Sequence, residues 1–295
     1  MSATGSSLSH RVDAAIRRHL DGRCSPPRLG TALESALFPG GARVRPRFAL
    51  GIAMACGDDR PRVADAAAAA VEFLHTASLV HDDLPCFDDA PLRRGAPAIH
   101  VAHGEALAVL TGDALIVLSF QALSDVADEA GERLPFLLAT LAAAAGTPSG
   151  LVAGQALESE PFCDVAAYHA AKTGALFEAA AVMGATAAGA DAAPWRPVGA
   201  RLGAAYQVAD DLHDALRLGG GGKPTGQDAA HDRPSAVKRH GIDGAVRVLK
   251  DHISGATDAI PCGPMADALR TLVREQTARF LPESLATRFG LDATA

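Results

Sequence analysis

Long alanine-rich segments without internal breaks dominate this chain and restrict what it can fold into. Apolar residues recur along them at helical spacing, and no run shows the strict alternation that a half-buried strand needs. Aromatic residues make up only 4% of the chain, so its core must consist mainly of Ala, Leu and Val, which favours closely packed helices. Helices are predicted at about Leu8–Leu20, Leu29–Leu37, Arg47–Ala55, Arg62–Val80, Glu105–Glu129, Arg133–Ala145, Val165–Ala188, Val198–Leu216, Ile242–Ala259 and Pro264–Phe280.

The breaks between these segments are short and do not separate domains. Phe38–Gly41 forms one break, and the longer stretch Gly219–Pro234 is rich in glycine and resembles a functional loop more than a linker. We therefore predict that residues 1–295 form a single all-α domain.

Composition limits the function classes. The formal charge of −7 argues against a nucleic-acid-binding protein, and an acidic protein that binds an anion must supply local cations or metal ions. The five cysteines are scattered without zinc spacing, which is typical of thiols in a reducing compartment. We expect no signal peptide and no uncharged apolar run long enough to span a membrane, and hence a soluble cytoplasmic protein.

Two aspartate clusters end otherwise apolar helical segments. The first runs from Asp82 to Asp89 and contains Asp83 and Asp88, and Pro85 is expected to end the helix. Aspartates at a helix C-terminus are unfavourable because the helix dipole already places negative charge there, so a cation should compensate. A solvated surface cap is the simpler interpretation, but it does not require four aspartates within eight residues.

The second cluster contains Asp210, Asp211 and Asp214. Asp210 and Asp214 are four residues apart, so their carboxylates share one helix face and destabilise it unless a cation lies between them. Carboxylate clusters of this kind suit a hard cation, chiefly Mg²⁺.

Basic residues follow the first cluster, flank the loop after the second cluster, and lie at the start of one predicted helix and within another. A single one is more often a surface charge than a ligand, but together with metal-binding carboxylates they describe a diphosphate site. The residues concerned are Arg43, Arg45, Arg93, Arg94, Lys172, Lys223 and Arg233.

These motifs, taken in order, resemble the trans-isoprenyl diphosphate synthase family over nearly the whole chain. Gly40–Pro46 is similar to the family's Gly-Gly-Lys-Arg-x-Arg-Pro, and Asp82–Asp88 to its first aspartate-rich motif. Further matches are Gly112-Asp113, Gly154-Gln155, Lys172-Thr173-Gly174 and Tyr206–Asp214, the last with Tyr in place of the usual Phe. The resemblance is strongest to geranylgeranyl diphosphate synthases of bacterial carotenoid and bacteriochlorophyll pathways. Ala42 and Gln227 depart from the family by replacing basic residues.

The resemblance implies a helical bundle with a central active-site cavity, a homodimer, and isopentenyl and allylic diphosphates as substrates. It implies three Mg²⁺ ions, with Mn²⁺ as a substitute. Expected metal ligands are Asp82, Asp83, Asp88, Asp210 and Asp214. Expected catalytic residues are Asp82, Asp83, Asp88, Arg93, Lys172, Asp210, Asp211 and Lys223. Expected substrate-binding residues are Arg43, Arg45, His75, Arg93, Arg94, Lys172, Thr173, Gln207, Lys223 and Arg233.

Product length is expected to depend on the residues about one turn before Asp82. Ala77 and Ser78 are small where short-chain synthases often carry an aromatic side chain, which favours a C20 over a C15 product. A farnesyl diphosphate synthase, a terpene cyclase of the same architecture and a non-catalytic synthase subunit are the alternatives. The presence of both aspartate clusters and the paired arginines disfavours the last two.

Overall fold

The computed structural model describes residues 3–161, 164–216 and 235–277, and these fold as a bundle of helices. In chain order the helices are α1 (Ala3–Leu20), α2 (Pro27–Leu37), α3 (Val44–Ala55), α4 (Pro61–Asp82), α5 (Ile99–His103), α6 (Glu105–Ser124), α7 (Ala127–Ala130), α8 (Leu134–Ala145), α9 (Leu151–Ala156), α10 (Val165–His169), α11 (Ala175–Ala187), α12 (Arg196–Ala215), α13 (Ala236–Asp258) and α14 (Ala266–Thr277). A π-helical turn, Ala170–Gly174, joins α10 to α11. The prediction of an all-α fold is confirmed.

Helix α4 lies at the centre of the bundle, packed against α1, α3, α6 and α11. Its alanines from Ala66 to Ala70 are completely buried, so the helix has no solvent-facing side over this stretch. Small side chains allow neighbouring helices to approach closely, and a Cβ added at Gly184 of α11 would lie 2.3 Å from the Ala49 carbonyl of α3. Alanine and glycine thus provide the close packing that the composition predicted.

Helix α12 joins this core to a second, smaller one. Its residues Ala205, Val208 and Leu212 pack against Ala245 and Leu249 of α13. This packing fixes the C-terminal half of α12, which carries the second aspartate cluster.

One short hairpin interrupts the helical pattern. Strands β1 (Leu92–Arg93) and β2 (Ala96–Pro97) pair in antiparallel fashion around the two-residue turn Arg94-Gly95. Both turn residues have positive φ, 54° and 79°, as in the type I′ turn that suits a tight hairpin. The periodicity did not indicate this hairpin because each strand has only two residues.

Two helices are long and apolar enough to cross a membrane by length and composition alone. For α4 the apolar window is 89% buried, as expected of a core helix. For α6 only 44% of the window is buried, and Leu110 and Val117 are more than half exposed. Both helices contain internal charged residues, Asp65 and Glu72 in α4 and Asp113 in α6, so the expectation of no uncharged apolar run long enough to span a membrane is not contradicted.

Candidate active site

A cavity of about 480 Å³ opens between the end of α4, the start of α3, the hairpin, the π turn and α12. It brings together side chains from widely separated parts of the sequence, including both aspartate clusters. The predicted site residues that line it are Arg45, His75, Ser78, Asp82, Arg93, Arg94, Lys172, Thr173 and Asp210.

The first aspartate cluster folds back onto the end of α4. The backbone N–H of Asp88 donates to the Asp82 carbonyl at 2.9 Å, and that of Ala90 donates to the Asp83 carbonyl at 3.2 Å. These bonds satisfy helix-end carbonyls that would otherwise lack partners, as the proline-terminated end requires. Asp89, at the end of this loop, has a φ of 45°.

The two adjacent aspartates at the helix end have different surroundings. Asp82 lines the cavity, whereas Asp83 is buried and accepts hydrogen bonds from Nε and Nη2 of Arg93. Burial lowers the pKa of Arg93, but the bond to Asp83 and the nearby carboxylates outweigh it and raise that pKa overall. Asp83 thus holds the guanidinium of Arg93, which is a predicted substrate-binding residue. The role of Asp83 as a metal ligand stays a prediction.

Asp82 is held by two neighbours. The side-chain amide of Gln155 on α9 donates to Asp82 Oδ1 at 2.9 Å, and Lys172 Nζ lies 3.6 Å from the same oxygen. Gln155 was not among the predicted site residues, although its Gly154-Gln155 motif had been matched to the family. Its spacing from Asp82 in the sequence gives no sign of this contact.

Lys172 and Thr173 occupy the π turn. A Cβ on Gly154 would lie 2.4 Å from the Lys172 backbone nitrogen, so only glycine permits α9 to approach this turn. Lys172 Nζ donates to Glu158 at 2.5 Å, and the Tyr168 hydroxyl donates to the same oxygen at 2.6 Å. Burial lowers the pKa of Lys172, but the charges of Asp82 and Glu158 outweigh that effect and raise it. Short π segments are frequent at functional sites.

A chain of hydrogen bonds connects the π turn to the second aspartate cluster. Thr173 Oγ1 donates to Gln207 Oε1 at 2.8 Å, and Gln207 Nε2 donates to Asp211 Oδ1 at 2.9 Å. The other Asp211 oxygen accepts from the Ala236 backbone N–H at the start of α13, where a carboxylate is favourable. Burial raises the pKa of Asp211 to about 6, against the effect of these bonds. Asp211 therefore connects helices, whereas Asp210 faces the cavity.

Oxygen donors on two helices face the cavity, Asp82 from α4 and Asp210 from α12. Carboxylates of this kind suit Mg²⁺. Within residues 3–161, 164–216 and 235–277, no three Asp, Glu, His or Cys side chains lie close enough together to hold a metal ion. The carboxylates of Asp82 and Asp210 fit Mg²⁺ by their chemistry, and the roles of Asp88 and Asp214 as ligands stay predictions.

Arg45 and His75 form a second group of site residues in the cavity. Arg45 is buried, with its guanidinium 4.4 Å from the Phe177 ring centroid and 5.2 Å from that of Tyr206. Arg45 Nη1 lies 3.3 Å from His75 Nε2. Burial and the charge of Arg45 hold the pKa of His75 well below its usual value, so the imidazole is neutral and its Nε2 accepts from the guanidinium. Arg45 Nε is buried without a hydrogen-bond partner in the described part of the chain.

Arg94, in the turn of the hairpin, lines the cavity together with Arg45 and His75. Its Nη1 donates to the Gly40 carbonyl at 2.7 Å, and a Cβ on Gly41 would lie 2.6 Å from that nitrogen. Arg43, Asp89 and Arg94 all have positive φ, which is uncommon for residues other than glycine and clusters at functional sites.

Arg43 does not line the cavity. Its Nη1 donates to the buried Glu72 at 2.6 Å, its Nη2 to the Leu37 carbonyl at 2.5 Å, and its Nε to Asp13 at 3.2 Å. The prediction that Arg43 binds substrate stays untested, but its guanidinium points to Glu72 in this structure. Lys223 and Arg233, and the departure at Gln227, lie outside the described residues.

The two residues predicted to control product length differ in position. Ser78 lines the cavity and its hydroxyl donates to the His75 carbonyl at 2.8 Å. Ala77 is buried in the helical core behind it. His81, one turn later, packs against α6, where a Cβ on Gly112 would lie 2.0 Å from its Nε2.

An all-α bundle whose cavity places two aspartate-bearing helix ends beside three arginines, Arg45, Arg93 and Arg94, is typical of proteins that bind diphosphates. The chain belongs to the polyprenyl synthetase family, whose sequence profile matches residues 26–260. The prediction of this family is confirmed.

Relatives and solved structures agree with this assignment. A geranylgeranyl diphosphate synthase of Cereibacter sphaeroides is 50% identical, over 95% of this chain and 99% of the relative. A geranylgeranyl diphosphate synthase of Rhodobacter capsulatus is also 50% identical, over 91% of this chain and 94% of the relative. The crystal structure of a Helicobacter pylori geranyltransferase complexed with magnesium and isoprenyl diphosphate superposes with a TM-score of 0.76 at 28% identity, covering 98% of this chain and 99% of the other.

Proposed function

We propose that the protein is a Mg²⁺-dependent prenyl transferase that condenses isopentenyl diphosphate with an allylic diphosphate to give geranylgeranyl diphosphate and pyrophosphate. The allylic substrate is farnesyl diphosphate, or dimethylallyl diphosphate extended in successive rounds. The observation that carries the proposal is the 50% identity, over nearly the whole chain, to synthases named for this product. The cavity supports it because carboxylates and guanidinium groups meet there.

The reaction requires an allylic C–O bond to break, leaving a carbocation and a highly charged leaving group. Bound at Asp82 and Asp210, with Asp83, Asp88 and Asp214 as further ligands, three Mg²⁺ ions (or Mn²⁺) would neutralise that leaving group. Lys172, near Asp82, and Arg93, bonded to Asp83, add fixed positive charge beside the first aspartate cluster. Asp83 and Glu158 hold these two cations in place, so little reorganisation is needed when charge develops.

Isopentenyl diphosphate, the second substrate, is proposed to bind beside Arg45 and Arg94. Arg45, Arg94 and neutral His75 bind the diphosphate of isopentenyl diphosphate and hold its double bond towards the allylic carbon. The unpartnered Nε of Arg45 supports this placement, because among the described residues it remains a buried donor without an acceptor. The departing pyrophosphate takes the proton that the product loses. Lys223 and Arg233 are proposed to add charge to the diphosphates.

Product length follows from the cavity wall beside Asp82. Ser78 contributes a small side chain to this wall, which leaves room for a chain longer than C15. The alternative is a farnesyl diphosphate synthase with a C15 product, and a less favoured one is a non-catalytic synthase subunit.

A single assay tests these proposals. Purified protein is incubated with isopentenyl diphosphate, farnesyl diphosphate and Mg²⁺, and pyrophosphate release and extracted products are measured. We expect release that depends on isopentenyl diphosphate and stops with EDTA, with a C20 product by chromatography. A C15 end product from dimethylallyl diphosphate would support the farnesyl alternative. Release without isopentenyl diphosphate would indicate a cyclase, and no release at all a non-catalytic subunit.

We also propose that the protein is a cytoplasmic homodimer that pairs through α6. Leu110, Asp113, Val117 and Gln121 form an exposed stripe along this helix, and Phe136 of α8 is 67% exposed. Large apolar side chains such as Leu110, Val117 and Phe136 exposed on a folded chain are typical of a protein interface. Light scattering after size exclusion should give a dimer, and Val117→Asp should give a monomer. Met265→Asp, which changes an exposed apolar residue outside this stripe, should remain dimeric. A wild-type monomer would contradict the proposal.

A further inference from the structure

Two arginines at the start of α3 pair with two residues on one face of α4. Arg43 contacts Glu72 at 2.6 Å, and Arg45 contacts His75 at 3.3 Å. Glu72 and His75 are three residues apart, so they lie on the same side of the helix. Only the second pair lines the cavity, and the first lies behind it in the protein interior.

The Arg43–Glu72 pair is deeply buried. The two side chains are 7% and 2% exposed, and a buried carboxylate is stable only when it is paired and hydrogen-bonded. The other two donors of Arg43 reach Asp13 of α1 and the Leu37 carbonyl at the end of α2. Arg43 directly precedes α3, so its side-chain bonds connect the start of α3 to α1, α2 and α4.

The segment held in this way forms a wall of the site. Gly40 and Gly41 line the cavity, and Gly40 accepts the hydrogen bond of Arg94. Gly40, Gly41 and Arg43 have positive φ, a conformation that the surrounding contacts must maintain. Among the contacts that Arg43 makes with described residues, only the pair with Glu72 joins two opposite charges that are both buried, because Asp13 is partly exposed.

The charge of Glu72 also acts on the neighbouring guanidinium groups. Burial lowers the pKa of Arg94, and the negative charge of Glu72 is the main opposing influence. Burial likewise lowers the pKa of Arg45, and the charge of Glu72 again opposes it. Glu72 thus contacts Arg43, and its charge also acts on Arg45 and Arg94.

We infer that Glu72 is a positioning residue for the isopentenyl diphosphate site. It acts through Arg43, whose fixed guanidinium sets the Gly40–Gly41 wall and the start of α3, and so the place of Arg45 and Arg94. This inference rests on the proposed function. It assigns Arg43 to the support of the site, in contrast to the direct substrate contact predicted from the sequence.

The two roles of Arg43 predict opposite results for Glu72→Gln. If Arg43 supports the site, removing its partner weakens the binding of isopentenyl diphosphate by about tenfold, the equivalent of about one charged hydrogen bond. If Arg43 contacts the substrate directly, losing Glu72 releases a guanidinium for the diphosphate, and binding becomes tighter or stays the same.

The test measures the dissociation constant of isopentenyl diphosphate by calorimetry without allylic substrate, and both KM values by pyrophosphate release. Glu72→Gln and Arg43→Gln should each raise the dissociation constant and the KM for isopentenyl diphosphate about tenfold. The double variant should be no worse than Arg43→Gln alone, because the inferred positioning effect of Glu72 acts only through Arg43. The KM for the allylic substrate should stay within about twofold.

Glu178→Gln is the matched control, because Glu178 pairs with Arg196 at a more exposed position. It should leave all constants unchanged. Calorimetry reports stoichiometry separately from affinity, so partial unfolding does not imitate weak binding. If Glu72→Gln does not fold, Glu72→Asp keeps the charge, withdraws the carboxylate, and should also weaken binding.

Unchanged or tighter binding in the folded Glu72 variant would overturn the inference, and so would additive effects in the double variant. Wild-type protein that binds isopentenyl diphosphate but gives the same affinity as Glu72→Gln contradicts only the positioning role. Wild-type protein that neither binds nor consumes isopentenyl diphosphate contradicts the proposed function itself.

Discussion

Replacing Gly154 by alanine should separate the π turn from α9 and so disturb Lys172. The added Cβ would lie 2.4 Å from the Lys172 nitrogen and 2.6 Å from its Cα. Ordinary contacts between such atoms are near 3.5 Å, so the two backbones must part by about 1 Å. Both groups are backbone, so no side-chain rotation can relieve the clash.

The magnitude follows from this displacement. Overpacking of this kind destabilises a protein by about 1–3 kcal/mol. Lys172 Nζ lies 3.6 Å from Asp82, and a shift of about 1 Å at a catalytic group can lower the rate about a hundredfold. We therefore expect kcat/KM to fall about a hundredfold, with the larger part in kcat, at a temperature where the variant is still folded.

Pyrophosphate release at saturating Mg²⁺ gives kcat/KM, and urea denaturation gives the free energy of unfolding. Gly263→Ala is the control, because an added Cβ there meets nothing within 4 Å and its φ is not positive. That variant should keep wild-type activity and change stability by no more than about 0.5 kcal/mol. Wild-type kcat/KM in folded Gly154→Ala would refute the reasoning that close approach of α9 fixes Lys172.

Three further predictions follow from the site. Ser78→Phe should shorten the product to C15 or less by filling the cavity wall, and an unchanged product on chromatography would remove Ser78 from the path of the chain. Asp211→Ala should destabilise the protein by about 1–3 kcal/mol in urea, because it leaves buried donors unpaired, whereas Asp210→Ala should mainly lower kcat. The pKa of His75 is lowered in the folded state, so the unfolded chain binds more protons below about pH 6.5 and stability falls there by up to about 1.4 kcal/mol per pH unit. His75→Gln should reduce that slope, and an equal slope in both proteins would contradict it.

The sequence was sufficient for the helical fold and for the charged residues that line the cavity, although it did not indicate Gln155 beside Asp82. Ile242 was predicted to begin a helix, and Gly241 just before it has a non-helical backbone, with a φ of 67°. Charge patterning predicts a cation at each aspartate cluster separately, and the resemblance of the ordered motifs to the family predicts that Asp82 and Asp210 share one site, where both line the cavity. Local patterns of charge and periodicity indicate helices and single cation sites, whereas the order of the motifs indicates which sites come together.

What the sequence did not reveal are the contacts that decide where each side chain points. Asp82 and Asp83 are adjacent and chemically identical, yet one faces the cavity and the other binds Arg93. The helix predicted over Val165–Ala188 instead divides at the π turn, since alanine-rich sequence has no signal for a change of helical register. The partners of Lys172 and Arg43, namely Glu158 and Glu72, have no motif of their own and are identified only through packing.

The π turn also restricts how the length of this segment can change. Such a turn contains one residue more than an α-helical turn, and that residue rotates all preceding side chains by about 100° relative to α11. Deleting one residue between His169 and Lys172 would let the segment continue as a regular helix. It would also turn α10, with Tyr168, away from Glu158 while Thr173 stayed beside Gln207. Insertions and deletions here should therefore be far less tolerated than substitutions.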